Sequence, residues 1–131
     1  MGLNISQNYK IVSGTFIGND THEYNIPCQF KPDIYIVWTD DVTSNPGKEG
    51  LLSLAEIRTK RMMSMRYTTS TATTSAAGGA NLTSGDYYRS YYTNNIMTIS
   101  AGGNNTFQFY NGIKYKYIFI KNLIDEQGGD T

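Results

Sequence analysis

The amino-acid sequence predicts an all-β protein: an antiparallel, jelly-roll-like β-sandwich of seven to nine short strands. Short segments rich in β-branched and aromatic residues alternate with Gly, Pro and Asn turn signals at intervals of roughly eight to twelve residues, which is typical of sandwiches. No segment keeps a helical apolar period for more than about two turns. The 131 residues suit one domain, which we expect to span residues 1–131.

The first two strands are predicted over residues 9–18 and 21–26. The Gly18-Asn19-Asp20 turn between them tolerates positive φ, so the pair is expected to form an antiparallel hairpin. Residues 33–39 follow a proline-bracketed corner and are apolar on both faces. A strand of this kind lies in the middle of a sandwich or under a subunit contact.

The rest of the chain divides into further strands and polar connections. Strands are predicted over residues 60–69, 86–93, 96–101, 105–110 and 115–122. Residues 51–57 suit either a strand or a single helical turn, and the β context favours the strand. The Ser/Thr/Ala/Gly tract at 70–85 is predicted to be a long flexible loop, and the polar tail at 125–131 is expected to fray.

Composition narrows the possible partners. Eleven basic residues balance eleven acidic ones, so no global field favours nucleic acid, and we expect no nucleic-acid partner. The basic cluster at 58–67 has the pattern of a strand with one solvated face and one core face. No apolar run approaches the about 18 residues that span a bilayer, and the N-terminus lacks signal-peptide features, so neither membrane insertion nor a signal peptide is expected.

The sequence offers no set of residues suited to catalysis. His22 and Cys28 are six residues apart, but Pro27 interrupts the alternation between them, and a Cys-His dyad needs both geometry and an electropositive setting. One His and one Cys cannot supply the about four ligands of a zinc site. We therefore expect a non-enzymatic protein with no cofactor and no metal.

The best candidate binding surface is a tyrosine-rich segment formed by Tyr87, Tyr88, Arg89, Tyr91 and Tyr92. Tyrosine rings and an arginine combine stacking planes with directed hydrogen bonds, which suits a sugar ring or a protein epitope. The alternative is structural, because period-two alternation places one tyrosine pair in the core and the other at a subunit contact.

Both ends of the chain resemble a known family. Residues 14–19 (GTFIGN) and 30–38 (FKPDIYIVW) are similar to the GTFTGNG and GF-x-P-x-x-V-x-V opening of β-rich modules. These modules occur in tail, tail-fibre and minor structural proteins of phages that infect Gram-positive bacteria. Residues 96–101, 105–109 and 111–120, which end in YKYIFI, are similar to the N-x-x-G-x-x-Y-x-Y-I-A-I close of the same modules.

The resemblance implies a phage virion component made in the host cytoplasm. Such proteins are commonly symmetric oligomers, often homotrimers, that contact other virion proteins and expose loops toward the host. It therefore implies a structural or accessory protein that acts in adsorption to a host-surface saccharide or protein, or in decoration of the particle. The alternative is a free-standing lectin-like carbohydrate-binding module that uses the tyrosine-rich segment.

Overall fold

The structure is a computed structural model that describes residues 8–40, 50–68, 71–78, 89–103 and 107–124. Within these ranges the chain forms nine strands. They are β1 (Tyr9–Ile17), β2 (Glu23–Pro27), β3 (Ile34–Thr39), β4 (Gly50–Glu56), β5 (Arg61–Tyr67), β6 (Ala72–Gly78), β7 (Tyr91–Thr93), β8 (Ile96–Ser100) and β9 (Lys114–Asn122).

The strands build two antiparallel sheets. A six-stranded sheet has the order β1-β9-β3-β4-β5-β6, and a three-stranded sheet has the order β2-β8-β7. The smaller sheet packs on one face of the larger, so the predicted antiparallel β-sandwich is confirmed. Residues 51–57, which suited two structures, lie almost wholly in strand β4.

The core lies between the two sheets and is rich in aromatic rings. Phe16 of β1 stacks on Tyr24 of β2 with ring centroids 4.1 Å apart, and it meets Tyr115 of β9 at 5.4 Å. Offset and edge-to-face ring pairs each add about 1 kcal/mol beyond the burial of their area. The fully buried large side chains include Tyr35, Val37, Leu51, Met97, Ile99, Phe107, Phe109, Tyr115 and Phe119.

Strand β3 occupies the central position that its two apolar faces predicted. It pairs with β9 on one side and with β4 on the other. Tyr35 and Val37 are fully buried between the sheets, whereas Ile34, Ile36 and Trp38 point to the opposite face and are only partly buried.

The predicted hairpin between residues 9–18 and 21–26 is wrong. β1 pairs with β9 along its whole length, and β2 pairs with β8 in the other sheet. The turn residues bond to a distant segment and not to each other: Gly18 N donates to Ile113 O (2.9 Å) and Asp20 N to Phe109 O (2.8 Å). Asp20 has a φ of 67°, and the chain crosses there from one sheet to the other.

The predicted loop at 70–85 is wrong for residues 72–78, which form the edge strand β6. Its Thr-rich sequence shows no apolar period because residues 71–74 are exposed. The strand is defined by its backbone pairing with β5. A propensity for extended structure combined with an existing sheet edge is enough to order such a segment.

Two other predicted strands are shorter than expected. The strand predicted at 86–93 is described from residue 89 onward and is extended only over Tyr91–Thr93. The strand predicted at 105–110 is reduced, in the described part, to a single bridge between Phe109 and Thr21. The C-terminal tail at 125–131, which was expected to fray, and residues 41–49 lie outside the described residues. Within the described ranges, no helix is long and apolar enough to cross a bilayer.

Candidate functional site

The tyrosine-rich segment is divided by the fold. Tyr87 and Tyr88 lie outside the described residues. Tyr92 points inward, packs against the core cluster, and donates its hydroxyl to Cys28 O at 2.8 Å, with Asn95 Oδ1 at 3.0 Å. In the described fold Tyr92 therefore makes structural contacts.

Arg89 and Tyr91 form a small platform on the opposite side of β7. The Arg89 guanidinium carbon lies 4.4 Å from the centroid of the Tyr91 ring, which is within cation–π range. Arg89 is exposed and Tyr91 is partly buried. The structure therefore brings together two of the five predicted site residues and separates them from Tyr92.

A buried hydroxyl cluster fixes the segment that carries this platform. Tyr35 Oη lies 2.6 Å from Ser90 Oγ, and Ser100 N donates to the same phenol oxygen at 3.0 Å. Burial raises the pKa of Tyr35 to about 12, while its hydrogen bonds to Ser90 and Ser100 act in the opposite direction. A protonated phenol at the centre of the large sheet thus ties β8 and the start of β7 to β3.

One cavity in the described part of the chain is a groove beside β1. It has a volume of ≈ 850 Å³ and is lined by Lys10, Ile11, Val12, Pro27, Cys28, Gln29, Phe30 and Asn95. The lining is mostly apolar, with one cation and two amides. We call this cavity the β1 groove.

The thiol in the β1 groove is not arranged as a nucleophile. Cys28 is buried, its Sγ donates to Phe30 O at 3.1 Å, and burial raises the pKa of the thiol despite this hydrogen bond. A reactive cysteine needs the opposite shift, toward the thiolate.

His22 lies in a different place, so the Cys-His dyad is not formed. A polar cleft of ≈ 630 Å³ is lined by Asn19, Thr21, His22, Glu23, Tyr24 and Asn25, and Cys28 lines the β1 groove at the other end of β2. Among the residues that the structure describes, no three His, Cys, Asp or Glu side chains gather where they could hold a metal ion.

An apolar surface lies on the face of the six-stranded sheet that points away from the small sheet. We call it the outer face. Strand alternation and register assign to it Ile11, Ser13, Thr15 and Ile17 of β1, Lys114, Lys116, Ile118 and Ile120 of β9, Ile34, Ile36 and Trp38 of β3, Leu52, Leu54 and Glu56 of β4, and Arg61, Met63 and Met65 of β5.

The register aligns the apolar residues of the outer face across five strands. One row runs through Ile118, Ile36, Leu54 and Met63, which are directly opposite one another on β9, β3, β4 and β5. Leu54 is 36% exposed and Met63 is 48% exposed. Cross-strand neighbours of this kind form one continuous surface.

Charged residues border this apolar row on both of its sides, in the direction along the strands. Asp40 lies 3.1 Å from Lys116 Nζ and 3.8 Å from Lys114 Nζ. On the other side of the row, Glu56 and Arg61 are directly opposite each other on β4 and β5. The outer face thus has an apolar centre and a polar rim.

Comparison with known proteins gives no match: no family model, no curated protein and no solved structure is significantly similar to this chain.

The β1 groove was not predicted from the sequence, and the outer face was predicted only in part. The two apolar faces of residues 33–39 signalled a second contact surface, but the neighbours of Ile36 in β9 and β4 depend on pairings between distant segments. The groove has no sequence signal, because its walls come from β1, from the segment after β2 and from the β7–β8 turn.

Proposed function

We propose that this protein is a non-enzymatic structural module of a phage particle that works as a homo-oligomer assembled through the outer face. The main support for a homo-oligomer is the row of apolar side chains across the outer face. The phage setting is supported by the motif resemblance at both ends of the chain, and the trimeric state is expected from the same resemblance.

The apolar centre favours association because it leaves hydrocarbon in contact with water. Ile11, Leu54 and Met63 are 51%, 36% and 48% exposed, and Trp38, Ile34 and Ile36 beside them are partly exposed. Removing apolar surface from water contributes about 25 cal/mol per Å². Trp and Met are also enriched at subunit contacts.

The size of the outer face suits a stable contact. The five strands that carry the outer face, about 4.8 Å apart and each about seven residues long at about 3.3 Å per residue, give a projected area of roughly 550 Å² before side-chain relief is counted. A standard interface buries about 800 Å² on each partner, and an exposed apolar patch of several hundred Å² on a monomer is often functional.

The polar rim would fix the position and orientation of a subunit contact on the outer face. Interfaces commonly have an apolar core surrounded by polar residues. Here Asp40 with Lys114 and Lys116 stands at one border, and Glu56 with Arg61 at the other. These charges stay hydrated at the edge of a contact while the apolar row is covered.

The oligomer is tested by measuring molar mass in solution with multi-angle light scattering. We expect a mass three times that of the 14.7 kDa chain, and we expect Leu54→Glu to reduce it to that of one chain. Thr93→Glu, an exposed change on the small sheet, is the matched control and leaves the oligomer intact. A wild-type protein that stays monomeric at high concentration contradicts the proposal.

The role of the oligomer on the particle is either adsorption or decoration. Sedimentation of the purified protein with cell walls of Gram-positive bacteria supports adsorption, and failure to bind any wall tested supports decoration. Gene neighbourhood tests the phage setting itself: tail or capsid genes beside this reading frame support it, and a neighbourhood without them contradicts it.

A lectin-like module is the second candidate, and the Arg89–Tyr91 platform favours it. An aromatic ring stacked with a guanidinium offers an apolar plane and hydrogen-bond donors side by side. Tyr91→Ala is expected to abolish binding on a glycan array without unfolding the domain. Unchanged glycan binding by Tyr91→Ala contradicts a site at this platform.

A further inference from the structure

The free edge of β1 is the first of three observations that bear on the β1 groove. β1 is the terminal strand of the six-stranded sheet and pairs on one side with β9. On its other side, no strand of the described ranges pairs with it. Alternate residues of an antiparallel strand direct their N–H and C=O groups away from the paired neighbour, so one edge of this nine-residue strand offers a template for another strand.

The second observation is that the β1 groove runs along this edge. Three successive residues, Lys10, Ile11 and Val12, line one wall. Because successive side chains of a strand point to opposite faces, a cavity that contacts all three must follow the backbone edge. The opposite wall is formed by residues 27–30, whose Pro27 and Phe30 supply apolar contacts.

That opposite wall is held in place by the fold. Cys28 N donates to Asn95 O at 2.9 Å, and the Tyr92 hydroxyl donates to Cys28 O at 2.8 Å. The segment after β2 is therefore tied to the β7–β8 turn and leaves the groove open beside β1. A wall arranged in advance lowers the ordering penalty of binding.

The third observation is the positive charge of Lys10 in the groove wall. Lys10 is exposed and is the only charged residue that lines the described groove. A carboxylate of a bound partner placed beside Lys10 therefore meets a charge of the opposite sign.

We propose that the β1 groove binds an extended peptide segment of a partner protein, which adds to the free edge of β1 as an extra strand and places an acidic side chain beside Lys10. Backbone hydrogen bonds to β1 supply affinity, and alternate side chains enter the apolar lining near Val12 and Phe30. The volume of ≈ 850 Å³ is in the range of binding cavities, about 300 to 1,000 Å³. Ile11 belongs to both the β1 groove and the outer face, but the partner strand binds the edge of the sheet and the oligomer contact covers its face, so either proposal can fail alone.

The test uses an array of synthetic heptapeptides in which Val, Ile, Phe or Tyr alternates with Thr or Glu. Fluorescence anisotropy with the full-length protein identifies the tightest peptide. A second copy of that peptide carries N-methyl groups on alternate amides, which keeps its side chains but removes the donors that face β1. We expect the methylated peptide to lose at least about tenfold in affinity.

Protein variants locate the site and test the charge. Gln29→Trp places a large ring in the groove from an exposed position and is expected to abolish binding, whereas Asn111→Trp, in the exposed turn before β9, leaves it unchanged. Lys10→Glu is expected to weaken binding of the Glu-containing peptides by about two- to fivefold, and added salt removes the difference.

Three outcomes overturn the proposal. Lysine on an edge strand can also serve to prevent pairing, and in that case no peptide of the array binds. Equal binding of the methylated and unmethylated peptides shows that β1 makes no strand contact. Binding that survives Gln29→Trp places the peptide at another surface. The molar mass of each variant, measured in the same samples, separates these results from any change at the outer face.

Discussion

Replacing Tyr35 by Phe tests whether the buried hydroxyl cluster holds the two sheets together. The change removes one oxygen atom and leaves the ring, which is fully buried and meets the Phe119 ring edge-on at 6.4 Å. The lost oxygen is the acceptor for Ser100 N at 3.0 Å and the partner of Ser90 Oγ at 2.6 Å. Both partners are buried, so water does not readily replace it.

The expected loss of stability follows from these two contacts. Each typical hydrogen bond contributes about 1 kcal/mol net, and a buried polar group that loses its partner costs about 1 to 3 kcal/mol. We therefore expect Tyr35→Phe to lower the free energy of unfolding by about 2 to 3 kcal/mol. For a domain of this size, that corresponds to a decrease of roughly 6 to 10 °C in Tm.

Urea unfolding followed by tryptophan fluorescence measures this loss, since Trp38 lies in the same strand as Tyr35. Tyr117→Phe is the matched control: Tyr117 is partly buried, and no hydrogen bond of its hydroxyl is found among the described residues. We expect the control to change stability by less than about 0.5 kcal/mol. Equal effects of the two substitutions would refute the reasoning.

Two further predictions concern alkaline pH and one glycine. Burial raises the pKa of Tyr35 and of Tyr115 from 10.0 to about 12. Below pH 10 both phenols are mostly protonated in the folded chain and in the unfolded chain. Between pH 10 and pH 12 the unfolded chain loses these protons while the folded chain keeps them. The free energy of unfolding should therefore fall by about 1.4 kcal/mol per pH unit for each tyrosine. Because Tyr35→Phe removes one of the two groups, it should make this slope shallower by about 1.4 kcal/mol per pH unit. An unchanged slope in pH-dependent urea titrations contradicts the prediction. Gly18→Ala should destabilise the fold by about 3 kcal/mol, because a Cβ there meets the backbone carbonyl of Tyr110 and lies 2.6 Å from that of Phe109. Gly112→Ala, with φ of +81° but open space around it, should lose only about 1 kcal/mol, and calorimetric Tm values that rank the two the other way would show that the close approach is relieved.

Local patterns predicted several strands well. Residues 33–39, 96–101 and 115–122 combine β-branched and aromatic residues over a strand length, and each matches an observed strand to within one residue at either end. Such segments can be recognised from the sequence because a strand buried between sheets needs apolar side chains. Residues 72–78 carry no such signal, since residues 72–74 are exposed and backbone pairing with β5 places the strand.

Pairing between strands could not be predicted from neighbouring residues. The Gly18-Asn19-Asp20 turn indicated a hairpin, yet β1 pairs with β9 across about a hundred residues of sequence. Turn residues permit a change of direction, but they do not decide which strand is met afterward. Here the bonds from Gly18 and Asp20 to the 109–113 segment decide it.

The candidate surfaces divide in the same way. The sequence alone pointed to a tyrosine-rich segment and to a strand with two apolar faces, and it predicted no catalytic or metal site. Only the tertiary structure turned Tyr92 inward against Cys28, aligned Ile36 with Ile118 and Leu54 on an open face, and opened a groove along β1. Side-chain chemistry and period are local properties of the chain, whereas a surface depends on which distant backbones become neighbours, and that is decided by the hydrogen bonding and packing of the whole sandwich.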